Sequence, residues 1–492
     1  MQAGNMPLLR ELSSPFLGTA SREVPIGGQA PRGRLSPFGP ALVLLGCPMI
    51  IEKSLQPLRI LAVFSALALS TSYPATARAQ GSSDAPVPPK SWIDPDTGHR
   101  VIRLTDEPGS DSFYFNVNPY TPDGKEMAYT SPAGISVLNL ETLKARPLVA
   151  APARAIVVGH KTPTLYYAKP GADGVPASLW AVDMDTGAAR KIADLPPRAS
   201  VVTINCDETL GAGTFVEGDA TGEGVYGGKA PAGSRMGALN LGEPVNKGEM
   251  MAKRLASRLP MTLFTVDLQT GKIAVVMEHQ TDWLNHLQFS PVDPHFLMYC
   301  HEGSGWRVDR IWTIRTDGTE NTMIPDEPGR NRIMETELAG HEWWSPDGRT
   351  IFVDLHLLKG VVGFLAAYNL DTKKHTWYHY EQNQWQIHFN LSPDAKTFCG
   401  DGAGRPNNQW IYLLHPEVIA DDQTLGTDLI AGGVLKPEPL CSLSKTAIHG
   451  AHNFRLEPNA SFTPDQKYIV FRSNIFGPDY AFAVEVAKAA SQ

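Results

Sequence analysis

A short turn followed by an apolar β-like run recurs seven times along the chain, and this repeat restricts the fold more than any other feature. The turns lie at Thr121–Gly124, Lys161–Pro163, Asn205–Glu208, Ser290–Asp293, Ser345–Gly348, Ser392–Asp394 and Thr463–Asp465. Second turns, such as Met184–Gly187 and Leu268–Gly271, divide most of the repeats again. Units of about 40 to 50 residues with four short strands are typical of propeller blades. We therefore predict an all-β fold, a seven-bladed β-propeller with a small helical insertion.

The sequence before the repeats has a different character. Residues 1–48 contain much Pro and Gly without apolar periodicity, and we interpret them as an upstream translation artefact or a disordered segment. Residues 49–79 combine a basic start, a short apolar core and the small-residue site Ala77-Arg78-Ala79, the pattern of a secretory signal peptide that begins at Met49. An uncleaved anchor is the alternative, but the apolar run is short for a membrane span. We expect a periplasmic or secreted protein without stable membrane insertion after signal cleavage.

Residues 80–90 are predicted to be a linker, and residues 91–492 the seven-bladed propeller domain. Residues 91–105 have the pattern of an entry strand pair. An insertion at about 218–260 interrupts the repeats with a Gly-rich loop. A helix from about Lys247 to Leu259 follows it, because apolar residues recur there at helical spacing.

Charge and cysteine content exclude some functions. The net charge of -8 and a pI near 6.0 argue against nucleic acid as a partner, because phosphate binding normally needs a basic face. Cys206, Cys300, Cys399 and Cys441 are widely spaced without a C-x-x-C pair, so no zinc knuckle is indicated. One or two disulfides are compatible with an oxidising compartment, but we expect buried thiols.

Polar residues collect in the stretch 285–348, at the predicted strand ends and turns. Among them are His286, His301, Glu302, Arg310 and His341. Functional sites are usually mounted at such positions on a rigid scaffold. A single histidine of this kind is more often a hydrogen-bonded structural residue, whereas the cluster favours a site.

Two further polar clusters precede later turns, around His388 and around His452–Asn459. Equivalent positions in successive blades point toward the same axial opening, so these residues and His341 should face one another. Imidazoles with a carboxylate or carboxamide suit a divalent transition metal such as Mn, Fe, Ni or Zn. Buried, hydrogen-bonded histidines at blade junctions are the structural alternative.

Several motifs in this region together resemble the oligogalacturonate lyase family, seven-bladed propellers of the polysaccharide lyase class. They are HxxFSPxDPxFLMYCHEG from His286, VDRIWTIRTDG from Val308, AGHEWWSPDG from Ala339, HFNLSPDxxxFCGDG from His388 and SFTPDxKYIVFRS from Ser461. The similarity extends from about Trp92 to the C-terminus. It implies an enzyme that cleaves acidic uronic-acid oligosaccharides by metal-assisted β-elimination, leaving 4,5-unsaturated uronate ends in pectin degradation.

The resemblance also assigns roles to residues. The family's catalytic base falls on His341, which removes the C5 proton, and its assisting arginine falls on Arg310. The implied cofactor is a divalent metal, Mn²⁺ by analogy. The motifs carry one metal ligand onto His388, whereas the family's Gln-x-x-His-x-His run is replaced by HNFRLEPNASFTPD. Counting back from Ser461 places Glu457 and Asn459 at ligand positions, with His452 nearby and His449 in reserve. For substrate binding we name His286, His301, Glu302 and Trp343.

Base chemistry at His341 is consistent with the residues themselves. A neutral histidine is a suitable base near pH 7, and a cation bound to the substrate carboxylate stabilises the charge that builds up on it. Two other functions stay open. The chain is also compatible with a non-catalytic periplasmic propeller, similar to TolB, that binds a protein or a glycan. Alternatively, it is a lyase for a different uronate polymer, or a hydrolase on the same scaffold.

Overall fold

The computed structural model describes residues 88–171, 175–217, 252, 255–303, 307–325, 338–357, 362–402, 409–419, 430–444 and 456–489. These residues belong to one compact unit, Ser83–Gln492. The predicted leader (1–79), most of the linker, most of the 218–260 insertion, and His452 with His449 lie outside the described residues. Of the predicted helix at Lys247–Leu259, residues 252 and 255–257 are described as helical.

The described strands follow the predicted repeat. Two strands come first, β1 (Ser91–Ile93) and β2 (His99–Arg103). Blade 1 contains β3 (Glu126–Ser131), β4 (Gly134–Asn139) and β5 (Ala145–Ala150), and an isolated bridge between Tyr120 and Met127 adds its inner segment. Blade 2 contains β6 (Arg154–Val158), β7 (Thr164–Lys169), β8 (Ser178–Asp183) and β9 (Ala189–Asp194). Blade 3 contains β10 (Ser200–Ile204), β11 (Leu210–Val216), β12 (Met261–Asp267) and β13 (Ile273–Gln280).

The remaining four blades continue in chain order. Blade 4 contains β14 (Leu284–Phe289), β15 (Phe296–His301), β16 (Ile311–Arg315) and β17 (Thr322–Met323). Blade 5 contains β18 (Leu338–Trp344), β19 (Thr350–Leu357), β20 (Val362–Asn369) and β21 (His375–Tyr380), and a 3-10 turn, Gln382–Gln384, follows. Blade 6 contains β22 (Phe389–Leu391), β23 (Phe398–Asp401), β24 (Trp410–Val418) and β25 (Ile430–Ser442). Strand β25 also pairs in parallel with β21 of blade 5. Blade 7 contains β26 (Ser461–Phe462), β27 (Tyr468–Ser473) and β28 (Tyr480–Lys488).

The blades close into a ring, which confirms the predicted seven-bladed propeller. β2, from the N-terminal side, pairs antiparallel with β28, so blade 7 is built from both ends of the described chain. Seven clusters of buried apolar residues lie between neighbouring blades, and one of them joins Tyr129 of blade 1 to Val470 of blade 7. Each sheet is therefore covered on both faces.

The turns that open each blade explain why the repeat is visible in the sequence. In blade 5, the Ser345 hydroxyl donates to Asp347, and the Gly348 N–H donates to the Ser345 carbonyl. Gly348 has φ +67°, a conformation that glycine adopts without strain. The Ser-Pro-Asp-Gly pattern is thus the chemistry of one tight turn used repeatedly.

The inner strands of several blades contain a β-bulge near the axial opening. The pairing of β14 with β15 shifts between Asn285 and Gln288, and that of β18 with β19 shifts between Gly340 and Trp343. His286 and His341 lie in these bulges with φ of +51° and +53°. A bulge redirects the side chain it carries, and a positive φ at a non-glycine residue is strain of the kind that clusters at functional sites.

The described cysteines are free thiols. Cys300, Cys399 and Cys441 are buried, as expected, whereas Cys206 is only partly buried, which corrects the prediction for that residue. Across the residues that the structure describes, no helix has the length and apolar character needed to cross a membrane.

Candidate active site

Four side chains of interest occupy one structural position in consecutive blades. His286, His341, His388 and Asn459 each precede the first residue of their blade's opening turn by the same interval. They stand at the inner edge of blades 4, 5, 6 and 7. His341 and His388 are in contact, with ring centroids 4.7 Å apart. The predicted convergence of these two histidines is confirmed.

His388 is fully buried and is oriented by a carboxylate on the next strand. Its Nδ1 lies 2.9 Å from Asp401 Oδ2, and its backbone N–H donates to Oδ1 of the same residue at 2.8 Å. Its Nε2 has no hydrogen-bond partner among the described residues and lies 3.8 Å from Glu457 Oε2. A buried imidazole nitrogen is rarely left without a partner. The arrangement of a carboxylate on one ring nitrogen and an open second nitrogen is common in metal-binding histidines.

His341 is also backed by a buried carboxylate. Its Nδ1 lies 3.6 Å from Asp354 Oδ2, and 15% of its side chain is exposed. Burial alone would raise the pKa of Asp354, but His356 and His341 hold this pKa below its usual value. His341 therefore combines an oriented ring with access to solvent, which His388 lacks.

A segment between blades 7 and 1 reaches across to these histidines. Phe115 stacks on His388 with ring centroids 4.8 Å apart, and Tyr114 meets the same ring edge-on at 5.1 Å. The Asn390 side chain donates to the Phe115 carbonyl at 3.0 Å and fixes the segment to blade 6. Both aromatic residues and Glu457 line a central cavity of about 1260 Å³. A cavity of this size accommodates a ligand of several rings.

Arg310 lies in a buried ion pair. Its Nε donates to Glu342 Oε2 at 3.1 Å and its Nη2 to Oε1 at 3.4 Å. Burial alone would lower the pKa of Arg310, but the neighbouring Cys300, Glu342 and Glu302 raise it. The guanidinium is thus permanently charged and already bound to one carboxylate. For Arg310 to contact a substrate carboxylate as predicted, its guanidinium would have to bind that carboxylate and Glu342 at the same time.

Breaking the Arg310–Glu342 pair should be strongly destabilising. Burial alone would raise the pKa of Glu342, but Arg310 and His286 lower it from 4.5 to about 2. The stabilisation is therefore complete above pH 4.5 and is lost as the pH falls toward 2. Glu342→Gln leaves a buried cation without its anion and should lower the free energy of unfolding by about 3–5 kcal/mol at pH 7. Urea unfolding at several pH values measures this loss.

A surface pair provides the matched control. Arg146 and Glu126 also form a two-contact ion pair, with the arginine side chain 40% exposed. Glu126→Gln should cost less than about 1 kcal/mol, because exposed pairs are screened by solvent. Equal losses in the two variants would contradict the structural role of Glu342.

The residues predicted for substrate binding divide into two groups. Glu302 and His286 line the central cavity; the Asn285 side chain donates to Glu302 at 3.1 Å, and His286 Nδ1 lies 3.7 Å from Glu342. His301 faces away, packed against Trp312 at 5.2 Å and lying 3.9 Å from Asp282. Trp343 also lines the cavity but is only 3% exposed, packed between Phe115 and Phe352. Its position favours a role in core packing over substrate binding.

A divalent cation fits part of the predicted ligand set. Two ligands of one ion, each about 2.1 Å from it, are about 3–4 Å apart, and the distance from His388 Nε2 to Glu457 lies in that range. Asn459, two residues after Glu457, is fully buried with φ +57°. Among the described residues, no group of three or more His, Cys, Asp or Glu side chains is arranged to hold an ion. A complete set would therefore need the Asn459 carboxamide, His452 or non-protein ligands.

Comparison with known proteins finds similarity to one family of enzymes. A family model described as oligogalacturonate lyase matches residues 255–490, which include the last two strands of blade 3, blades 4 to 6, and strands β26 to β28 of blade 7. Over these residues the chain is similar to the oligogalacturonate lyase family. The match indicates an enzyme of the polysaccharide lyase class.

Curated members of the oligogalacturonate lyase family match over nearly their whole length. The oligogalacturonate lyase of Dickeya dadantii is 23% identical over 429 residues, 80% of this chain and 95% of the relative. The oligogalacturonide lyase of Pectobacterium atrosepticum is 22% identical, with the same coverage. A solved oligogalacturonate lyase in complex with manganese has a TM-score of 0.62 at 21% identity, covering 81% of this chain and 96% of its own. The oligogalacturonate lyase of Vibrio parahaemolyticus gives 0.61 at 21%, covering 82% and 97%.

Sequence reasoning missed four residues of this candidate site. Asp354 and Asp401 each follow their histidine by thirteen residues, and this shared spacing could have been found in the sequence. Tyr114 and Phe115 could not, because they lie more than two hundred residues from the histidines they contact and belong to no blade repeat.

Proposed function

We propose that the chain cleaves oligogalacturonides by metal-assisted β-elimination. The observation that carries the proposal is the contact between His341 and His388, each backed by its own buried carboxylate, beside Glu457. A purely structural propeller has no need for this arrangement at its central opening. The proposed substrate is an acidic oligosaccharide, in line with what the curated relatives are named for.

His341 is the proposed base. Its Nδ1 side faces Asp354, so Nε2 is the nitrogen left to accept the C5 proton of a uronate unit. The electron pair of the C5–H bond then forms the C4=C5 double bond, and the C4–O bond breaks. The departing oxygen takes up a proton from water, and the other product carries a 4,5-unsaturated uronate end.

His388, Glu457 and Asn459 are the proposed protein ligands of a divalent cation, with His452 as a further candidate outside the described residues. Manganese is the proposed ion, since it is bound by the oligogalacturonate lyase structure compared above. When bound, the cation supplies positive charge next to the uronate carboxylate, which makes the neighbouring C–H bond more acidic. Asp401 holds the His388 ring so that Nε2 faces Glu457. Arg310 is proposed to assist by offsetting charge on the carboxylate.

We also propose that the protein is exported, because residues 49–79 have the pattern of a signal peptide. An exported lyase would meet longer uronate chains than a cytoplasmic one, so a different uronate polymer is the second candidate substrate. The N-terminal sequence of the mature protein recovered from the periplasm or medium tests this. A start near Gln80 is expected, and an intact leader in the cytoplasm would contradict it.

The activity is tested by incubation with a panel of uronate oligosaccharides, with and without chelator. We expect ultraviolet absorbance from a conjugated uronate with oligogalacturonides, and its loss after chelation and recovery with Mn²⁺. Product without absorbance would indicate a hydrolase. Absence of any product across the panel would favour the binding propeller instead.

A further inference from the structure

Asp354 is a buried carboxylate with three side chains around it. It lies on β19 and is 2% exposed. Its Oδ1 lies 2.7 Å from His356 Nε2 and accepts a hydrogen bond from the Tyr380 hydroxyl at 2.9 Å. Its Oδ2 faces His341 Nδ1. The two oxygens therefore have separate partners.

This division restricts the carboxylate. Rotation about the side chain would break both contacts at Oδ1, and His356 is itself packed against Trp385 with ring centroids 4.3 Å apart. Oδ2 lies 3.6 Å from His341 Nδ1, so a proton on Nδ1 would face the carboxylate. A carboxylate that accepts from Nδ1–H leaves the Nε2 lone pair available and stabilises the imidazolium that forms on proton transfer.

We propose that Asp354 is the positioning residue of His341, and that His356 and Tyr380 hold its carboxylate in place. This inference rests on the proposed function, in which His341 is the base. Blade 6 provides a contrast. Asp401 occupies the equivalent place, and among the described residues its oxygens accept from the His388 backbone, the His388 ring and the Ala460 N–H, without a second side chain of this kind. The additional contacts of His356 and Tyr380 with Asp354 are consistent with a fixed carboxylate beside the His341 ring, the proposed base.

Asp354→Asn is the first test, made on the metal-loaded enzyme with oligogalacturonide. A carboxamide keeps the shape but can donate to Nδ1, which favours the wrong tautomer. We expect kcat to fall by about 10²-fold or more with KM changed less than about threefold and bound metal unchanged. In ¹⁵N-histidine spectra of the wild type, recorded with a diamagnetic divalent ion in place of Mn²⁺, His341 should carry its proton on Nδ1, and this signal should be lost in the variant.

A second variant covers the case in which Asp354→Asn does not fold. Tyr380→Phe removes one donor to Oδ1 and should lower kcat by about 3–10-fold, without a change in KM. The matched control is Asp94→Asn, another buried aspartate, which accepts backbone hydrogen bonds from Ser442 and Thr97 away from the cavity. It should affect stability but not kcat.

The outcomes separate the inference from the function on which it rests. If His341→Asn is inactive while Asp354→Asn, or Tyr380→Phe where the former is unfolded, has the kcat of Asp94→Asn, the positioning role is overturned alone. If His341→Asn keeps wild-type kcat, the assignment of the base fails and the inference fails with it.

Discussion

Replacing His341 with asparagine should lower kcat for oligogalacturonide by about 10²–10⁴-fold, the usual contribution of a general base. Asparagine is the appropriate replacement because His341 has φ +53°, a conformation that asparagine tolerates better than alanine. Backbone strain is then nearly unchanged, and the loss reports the imidazole. The measurement is the initial rate of ultraviolet absorbance from the unsaturated product, together with the thermal unfolding temperature.

The control for this prediction is His279→Asn. His279 has φ +60° but is 72% exposed on blade 3 and paired with Glu217, away from the proposed chemistry. Its replacement makes the same change at a similar backbone conformation and should leave kcat unchanged. Wild-type turnover by His341→Asn would show that His341 is not the base and that another residue removes the proton.

Replacing His388 with glutamine should reduce metal affinity by more than about 100-fold, and activity with it. Even residues that only support metal ligands contribute about 10–100-fold to affinity, and a direct ligand should contribute more. Glutamine retains a donor for Asp401, so the buried carboxylate is not left without a partner. Metal content after dialysis and titration with Mn²⁺ give the affinity independently of turnover.

His375→Gln is the matched control for the metal prediction. His375 is also a buried histidine, packed against Tyr368, and its pKa is lowered to about 4 by burial. Its replacement should disturb packing in blade 5 without changing metal content. Equal metal retention by the His388 and His375 variants would show that His388 is not a ligand.

The ring could be predicted because its determinants are local. A turn such as Ser345–Gly348 needs one pattern of residues wherever it occurs, so the start of each blade can be recognised in the sequence. Placement of His341 and His388 followed from their common distance to that turn. The sequence could also have predicted that His301 points away from the cavity if Glu302 points into it, since neighbouring residues on a strand point to opposite faces.

Other parts of the site depend on contacts that no local pattern records. The bulges at His286 and His341 arise from pairing with the second strand, and the sequence alone gives no sign of the positive φ. Arg310 was predicted to meet a substrate carboxylate, but the tertiary fold supplies it with Glu342 from the next blade. The approach of Phe115 to His388 likewise depends on closure of the whole ring.

The pairing of β2 with β28 has a consequence for when the enzyme can form. Glu457 and Asn459 belong to the blade that needs both the earliest and the latest strands of the propeller. During synthesis, the first five or six blades can pack in order as they emerge, but the mouth of the cavity stays incomplete until the final strand is released. Catalytic competence should thus appear in a single late step, and a chain lacking its last twenty residues should be inert however well its earlier blades have folded.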